Sequence, residues 1–220
     1  MNLTCFIECL ASLKSKEVLA RLNQILPPAS GTFSWLDTHP SFHRWQDNGG
    51  TLWIRGKPGS GKSTLAKDVL MRLRFKEIPP VIGAWFYSVK LTLAQRSHQS
   101  LLQALLGNFL EQDEELFREH VNIYRKARLP PCDSWKWSRD LLEQFLWAIA
   151  RTPRDSTIMA VIDALDESEN DDQIDKSRQH LATFLLDLAE HPESCMRFII
   201  LSRPYESLQI MFRDCEQIVL

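Results

Sequence analysis

The stretch Gly56-Lys57-Pro58-Gly59-Ser60-Gly61-Lys62-Ser63 constrains this chain more than any other. It has the pattern GxxxxGK[ST], and its flanks supply the context that the pattern needs. Thr51-Leu52-Trp53-Ile54-Arg55 precedes it, apolar and β-branched enough for a short buried strand. In the segment that follows, Leu65, Val69 and Leu73 recur at i, i+4 and i+8, which is one face of a helix. Glycines let the backbone between such elements curl until successive N–H groups point inward, a concave nest for anions. The first turn of the helix adds unpaired N–H groups and the positive end of its dipole. At this spacing Lys62 reaches the β- and γ-phosphates, and the Ser63 hydroxyl can ligate Mg²⁺. Gly56, Lys57, Pro58, Gly59, Ser60, Gly61, Lys62, Ser63 and Thr64 are therefore predicted to bind the phosphates of a nucleotide.

A phosphate loop does not say what the nucleotide is for. Its companion is Val161-Ile162-Asp163-Ala164-Leu165-Asp166-Glu167. Thr157 to Ile162 is an uninterrupted apolar run, expected of a strand covered on both faces, and it leads straight into Asp163. A carboxylate at the C-terminal tip of such a strand sits where open α/β sheets bind ligands. Asp163 is expected to hold Mg²⁺ together with Ser63. Asp166 and Glu167 are candidates to orient or deprotonate an attacking water. A third stretch, Ser202-Arg203-Pro204, ends another apolar run from Met196. A guanidinium there is costly unless it meets an anion; a γ-phosphate is one candidate, and an ion pair with Asp163 or Asp166 is the other.

The remaining pattern reads as alternating helices and strands, hence a parallel α/β sheet. Residues 3–26 keep helical spacing up to Pro27-Pro28, and short helical turns flank His39-Pro40. A second strand runs from Val81 to Tyr87, a helix covers Ala94–Gln112, and charged residues continue helically through Arg128 to Pro130-Pro131. Residues 138–151 form another helix, a polar loop spans 167–176, and a helix using Leu181, Phe184, Leu185 and Leu188 follows. Tyr205–Phe212 is a short helix and Glu216–Leu220 a last strand. Trp135, Trp137 and Trp147 fit core packing better than stacking on a base. The expected division is a helical lead-in over 1–46 and a nucleotide-binding core over 47–220.

Composition limits the partners. The 220 residues are 44% hydrophobic and 25% charged, enough for a core, and 26 basic against 28 acidic residues leave a net charge of −2. That balance argues against nucleic acid or an anionic membrane, and Arg125-Lys126-Ala127-Arg128 reads as a solvated helix end. Cys5, Cys9, Cys132, Cys195 and Cys215 show no CxxC spacing, which argues against a zinc ribbon or disulfide scaffold and fits a reducing, cytoplasmic setting. No apolar run approaches the roughly 20 residues of a membrane span. Glu8 interrupts the apolar N-terminus, so a signal peptide is not expected. His39, His43, His98, His120, His180 and His191 lack metal-ligand spacing and read as surface or capping residues.

With these stretches assembled, the chain resembles a NACHT domain, of the signal-transducing class of P-loop ATPases with numerous domains. GKPGSGKST, VIDALDE and FIILSRP are similar to its Walker A, Walker B and sensor 1 stretches, including the small Ala164 after the Walker B Asp163. The lead-in Gly31-Thr32…Trp35-Leu36…His39-Pro40…Trp45 before LWIRGKPGSGKSTL resembles the fungal, nephrocystin-like version. The resemblance implies a five-stranded parallel sheet in the order 5-1-4-3-2 within a three-layer sandwich. It also implies a switch that is closed with ADP, oligomeric with ATP and Mg²⁺, and reset by slow hydrolysis, in non-self recognition or regulated cell death. Self-association would run through the core of a longer protein. Such proteins continue into helical, winged-helix and repeat modules, so a chain ending at the fifth strand is expected to be a fragment or a truncated product.

Other classes fit less well. A GTPase would carry an NKxD stretch, and none is present. A small-molecule kinase would need an acceptor pocket and lid. A scaffold whose bound nucleotide never turns over shares every residue named above and stays open beside the ATPase.

Overall fold

A computed structural model describes residues 3–14, 17–129, 135–168 and 174–220. Pro130, Pro131 and Cys132 lie outside the described residues, as do residues 169–173 of the polar loop predicted over 167–176, whose last residues, from Ile174, are helical instead.

Five strands form one parallel sheet among the described residues: β1 (Gly50–Arg55), β2 (Val81–Phe86), β3 (Ile158–Asp163), β4 (Met196–Ser202) and β5 (Glu216–Val219). Their spatial order is β2-β3-β4-β1-β5, the order that the resemblance implies, read from the other edge. Every residue of β3 is buried, as is Leu52–Ile54 at the centre of β1. Consecutive buried residues mean that both faces are covered, since side chains alternate across a strand. The central placement of β1, β4 and β3 brings the chain after each of their C-terminal ends to one edge of the sheet.

The phosphate-loop helix α4 (Lys62–Arg74) packs on β2, β3 and β4 through Leu65, Ala66, Val69, Leu70 and Leu73. Helix α5 (His98–Gln112) approaches β2 closely enough that a Cβ on Gly83 would fall 2.7 Å from Phe109 Cε1. The same helix also finishes the exposed side of that edge strand. Gln112 accepts from Ile82 N–H at 3.0 Å and donates to Ile82 O at 2.6 Å, and Asn108 accepts from Ala84 N–H at 3.1 Å. Backbone groups that would otherwise offer a template for strand addition are satisfied by side chains of the same chain.

Two of the expected helices are shorter than their periodicity suggests. Residues 3–26 give α1 (Leu3–Leu13) and α2 (Glu17–Gln24) rather than one helix. The run from Ala94 to Arg128 divides into a 3₁₀ turn (Ala94–Arg96), α5 and α6 (Glu114–Ala127). The breaks have a local cause. Ser97 is extended and its hydroxyl accepts from Ser100 N–H at 3.1 Å, while Asp113 is extended and accepts from Glu115 N–H at 3.0 Å. Each satisfies a donor of a new helix, so hydrophobic periodicity runs on while the backbone restarts.

The lead-in packs into the same hydrophobic core: Cys9, Leu13, Leu22, Ile25, Leu36 and Trp45 are all buried there. A 3₁₀ turn (Ser34–Thr38) leads to α3 (Pro40–Asn48), where Pro40 opens the helix and His39 Nδ1 accepts from Ser41 N–H at 3.2 Å. His39 thus caps a helix as expected. His98 does not fit the surface-or-cap expectation: it is 3% exposed, with Nδ1 3.3 Å from the Ser177 hydroxyl. An apolar helix face recruited it, and a lone histidine carries no sequence signal for that. The aromatic expectation is met by a cluster in which Trp137 stacks on Tyr124 and meets Trp135 and α7 (Arg139–Ala150) at Phe145.

Candidate functional site

The loop between β1 and α4 curls around two glycines with positive φ, Gly59 at 78° and Gly61 at 90°. Only glycine enters that region without strain, which is why the sequence spacing fixes them there. Gly61 is the residue before α4, and the first bond back into the helix runs from Leu65 N–H to Gly61 O at 2.9 Å. The N–H groups of the preceding turn have no intrahelical acceptor and carry the positive end of the dipole.

This loop and the ends of β3 and β4 enclose a cavity of about 390 Å³. Pro58, Gly59, Gly61, Lys62, Ser63 and Thr64 form one wall. Asp163, Ala164, Asp166, Glu167 and Arg203 form the other. Three stretches separated by up to 140 residues in sequence therefore meet, and they are the three predicted to. Gly56, Lys57 and Ser60 shape the loop from behind: a Cβ on Gly56 would fall 2.6 Å from Ser60 Oγ, and Lys57 O accepts from Ser60 N–H at 3.2 Å.

Lys62 folds over the loop, donating to Gly56 O at 2.7 Å and Lys57 O at 2.8 Å. Partial burial lowers its pKa, opposed by the nearby charges of Asp166 and Asp163. Two neutral carbonyls hold the ammonium, so an anion arriving in the cavity has a cation to recruit.

Asp163 is the most telling residue. It is 1% exposed, and neither carboxylate oxygen makes a hydrogen bond of full geometry among the described residues, although the Ser63 hydroxyl lies near enough to act on it. Burial pushes its pKa up to about 6, against the Ser63 hydroxyl and the Arg21 charge, which pull it down. An enclosed carboxylate with no more than one hydroxyl beside it is expensive and asks for a cation. The pair Asp163 and Ser63 fits a hard divalent ion of the Mg²⁺ type, which takes few protein oxygens and leaves the rest to water and phosphate. No group of three or more His, Cys, Asp or Glu among the described residues is placed to hold a metal.

Ala164 follows in the left-handed region, φ 56° and ψ 44°. This turn reverses the chain into the 3₁₀ turn Leu165–Glu167, with Glu167 N–H bonded to Ala164 O at 2.8 Å. It aims Asp166 and Glu167 back at the sheet edge. Asp166 accepts from Arg203 N–H at 2.9 Å and from Arg203 Nε at 2.5 Å. Glu167 Oε2 accepts from Val89 N–H at 3.0 Å, and its Oε1 lies 3.7 Å from Arg203 Nη2. Of the two partners that the sequence left open for Arg203, the structure shows the ion pair, and with Asp166 rather than Asp163. Strand β4 is tied in through Trp53, whose indole donates to the Ser202 hydroxyl at 2.8 Å.

One contributor escaped the sequence reading. Arg21 of α2 acts electrostatically on Asp163 from the lead-in. No spacing rule connects a residue of α2 to the tip of β3.

Residues 31–203 match the family described as Nephrocystin 3, N-terminal, a span that takes in the phosphate loop, Asp163 and Arg203. No curated protein matches the chain. Among solved structures, the cytoplasmic domain of the Type VII secretion ATPase EccC from Thermomonospora curvata is similar at 15% identity and a TM-score of 0.39. The likeness covers 78% of this chain and 19% of that one. No helix among the described residues is long and apolar enough to cross a membrane.

Proposed function

The chain belongs to the nephrocystin 3 N-terminal family, and from that premise we propose that it is an ATP- and Mg²⁺-binding switch module of the NACHT type, with slow hydrolysis as the reset. The observation that carries the reading is Asp163, buried beside the Ser63 hydroxyl at the edge of a cavity walled by the glycine loop.

In this reading the N–H groups at the start of α4 receive the phosphate tail, and Lys62 leaves its two carbonyls to meet it. Asp163 and Ser63 would hold the Mg²⁺, which would supply charge neutralisation for the phosphates. Arg203 keeps Asp166 in place and faces the same cavity, where a terminal phosphate competes for its guanidinium. Glu167 is the better candidate to orient water: its side chain is 26% exposed against 2% for Asp166. A fixed carboxylate beside a phosphate cradle positions a nucleophile without needing a large motion.

A second reading, a nucleotide-holding scaffold without turnover, is favoured by the engagement of both Asp166 oxygens. Turnover measurements on wild type and Glu167→Gln decide between them. The test of the site itself is titration of fluorescent ATP and ADP, with and without Mg²⁺, into wild type and Lys62→Ala. Mg²⁺-dependent binding that the variant loses supports the assignment; equal affinity in both proteins overturns it.

A further inference from the structure

A guanidinium carries its N–H donors in one plane, and what it offers an incoming anion depends on how many the protein has already used. Arg203 lines the phosphate cavity. Its Nε donates to Asp166 Oδ2 at 2.5 Å, and its backbone N–H to Asp166 Oδ1 at 2.9 Å. Nη2 lies 3.7 Å from Glu167 Oε1, beyond hydrogen-bond reach. Neither Nη group makes a hydrogen bond among the described residues. One side-chain bond at Nε leaves the end of a long side chain free to swing, and an anion that fixes it must meet that entropy.

The structure supplies a second hold that uses no donor. Arg203 Cζ lies over the Tyr205 ring, 5.5 Å from its centroid. Stacking engages the face of the guanidinium while the donors lie along its edge, so the two kinds of contact do not compete. The local chain sets the ring there. Pro204, between the two residues, has a fixed φ and no N–H. Tyr205 is extended, its N–H turns back to Arg203 O at 3.0 Å, and its own O accepts from Gln209 N–H at 2.9 Å. Core packing does not explain the ring, which is 45% exposed. Together with Asp166 it lines a second cavity, of about 570 Å³. A tyrosine that stands between open space and a guanidinium has the guanidinium as its partner.

We propose that Tyr205 is a positioning residue of the phosphate cavity: its ring holds the plane of Arg203 so that the Nη groups are presented to the terminal phosphate of a nucleoside triphosphate. The inference rests on the nucleotide reading above. Tyr205 acts through Arg203 and touches no phosphate itself. A diphosphate lacks the group that would reach Arg203, so the ring matters for one nucleotide and not for the other.

Binding of fluorescent ADP and of a non-hydrolysable ATP analogue, both with Mg²⁺, is measured on the 220-residue chain as wild type, Tyr205→Phe and Tyr205→Leu. Tyr205→Leu keeps an apolar side chain without a π face; the triphosphate is expected to weaken about threefold and the diphosphate to stay unchanged. Tyr205→Phe keeps the ring and is expected to match wild type. In an Arg203→Gln background there is no guanidinium to hold, and adding Tyr205→Leu is expected to change neither affinity. Diphosphate affinity reports on the fold of each variant. Equal weakening of both nucleotides, or no change in either, overturns the proposal. So does a Tyr205→Phe as weak as Tyr205→Leu, or a Tyr205→Leu effect that persists in Arg203→Gln. Wild type that binds neither nucleotide overturns the functional reading as well.

Discussion

Arg203 holds Asp166 through two bonds, backbone N–H to Oδ1 at 2.9 Å and Nε to Oδ2 at 2.5 Å. The Asp166 side chain is 2% exposed and that of Arg203 32%, so the pair sits at the border of the cavity with the carboxylate on the inside. Removing either partner has unequal consequences, because only one of them is left buried.

Arg203→Ala is expected to destabilise the fold by about 3 kcal/mol, since it strands the Asp166 carboxylate. Asp166→Asn keeps an acceptor for the Arg203 N–H and should cost less, about 1 kcal/mol. A double-mutant cycle read by urea unfolding checks this: additive effects would show that the two bonds contribute no coupling.

Ala164 bears a left-handed backbone that costs a residue with a Cβ about 1 kcal/mol. Ala164→Gly relieves that strain but adds freedom to the unfolded chain, leaving a net change within about 1 kcal/mol. Ala164→Val places a β-branched side chain at the same φ and should lose clearly more, seen as a drop in Tm. Equal Tm values for the two variants would contradict the strained turn.

Burial lowers the pKa of His98 to about 4, with the charges of Arg139, His180 and Arg178 acting in the same direction. The folded state holds it neutral, whereas the unfolded chain protonates it near the ordinary histidine value of 6.5. Its contribution is therefore whole above about pH 6.5 and is lost as pH falls towards 4, on the order of 3 kcal/mol in all. Asp163, raised to about 6, works against this trend across the same range, because its folded form takes up a proton first. The two separate by difference: between pH 6.5 and pH 4 the stability of His98→Asn relative to wild type should rise as pH falls. Parallel profiles from pH 7 to pH 4 would rule out His98 as the source.

Gln112 and Asn108 occupy the free edge of β2. Replacing both with Ala exposes unpaired N–H and C=O groups on a strand of high β-propensity. Concentration-dependent association is the expected result, detectable by light scattering, with little change at low concentration. A variant that stays as dispersed as wild type would show that the edge needs no such cover.

The sequence by itself determined the phosphate loop, the strand that delivers Asp163, the strand that delivers Arg203 and the parallel α/β class. Those features are local: glycine spacing sets a turn, and an uninterrupted apolar run sets a strand covered on both faces, without reference to the rest of the chain. Helix boundaries were less legible. Ser97 and Asp113 interrupt an unbroken hydrophobic pattern through caps that depend on single side-chain hydrogen bonds. Tertiary structure alone decided the partners. It set Arg203 on Asp166 rather than Asp163, buried Asp163 beside Ser63, buried His98 and laid Gln112 on a sheet edge. Pairing of charges is a matter of distance in space and of which groups lose their water, and neither quantity exists until the chain has folded.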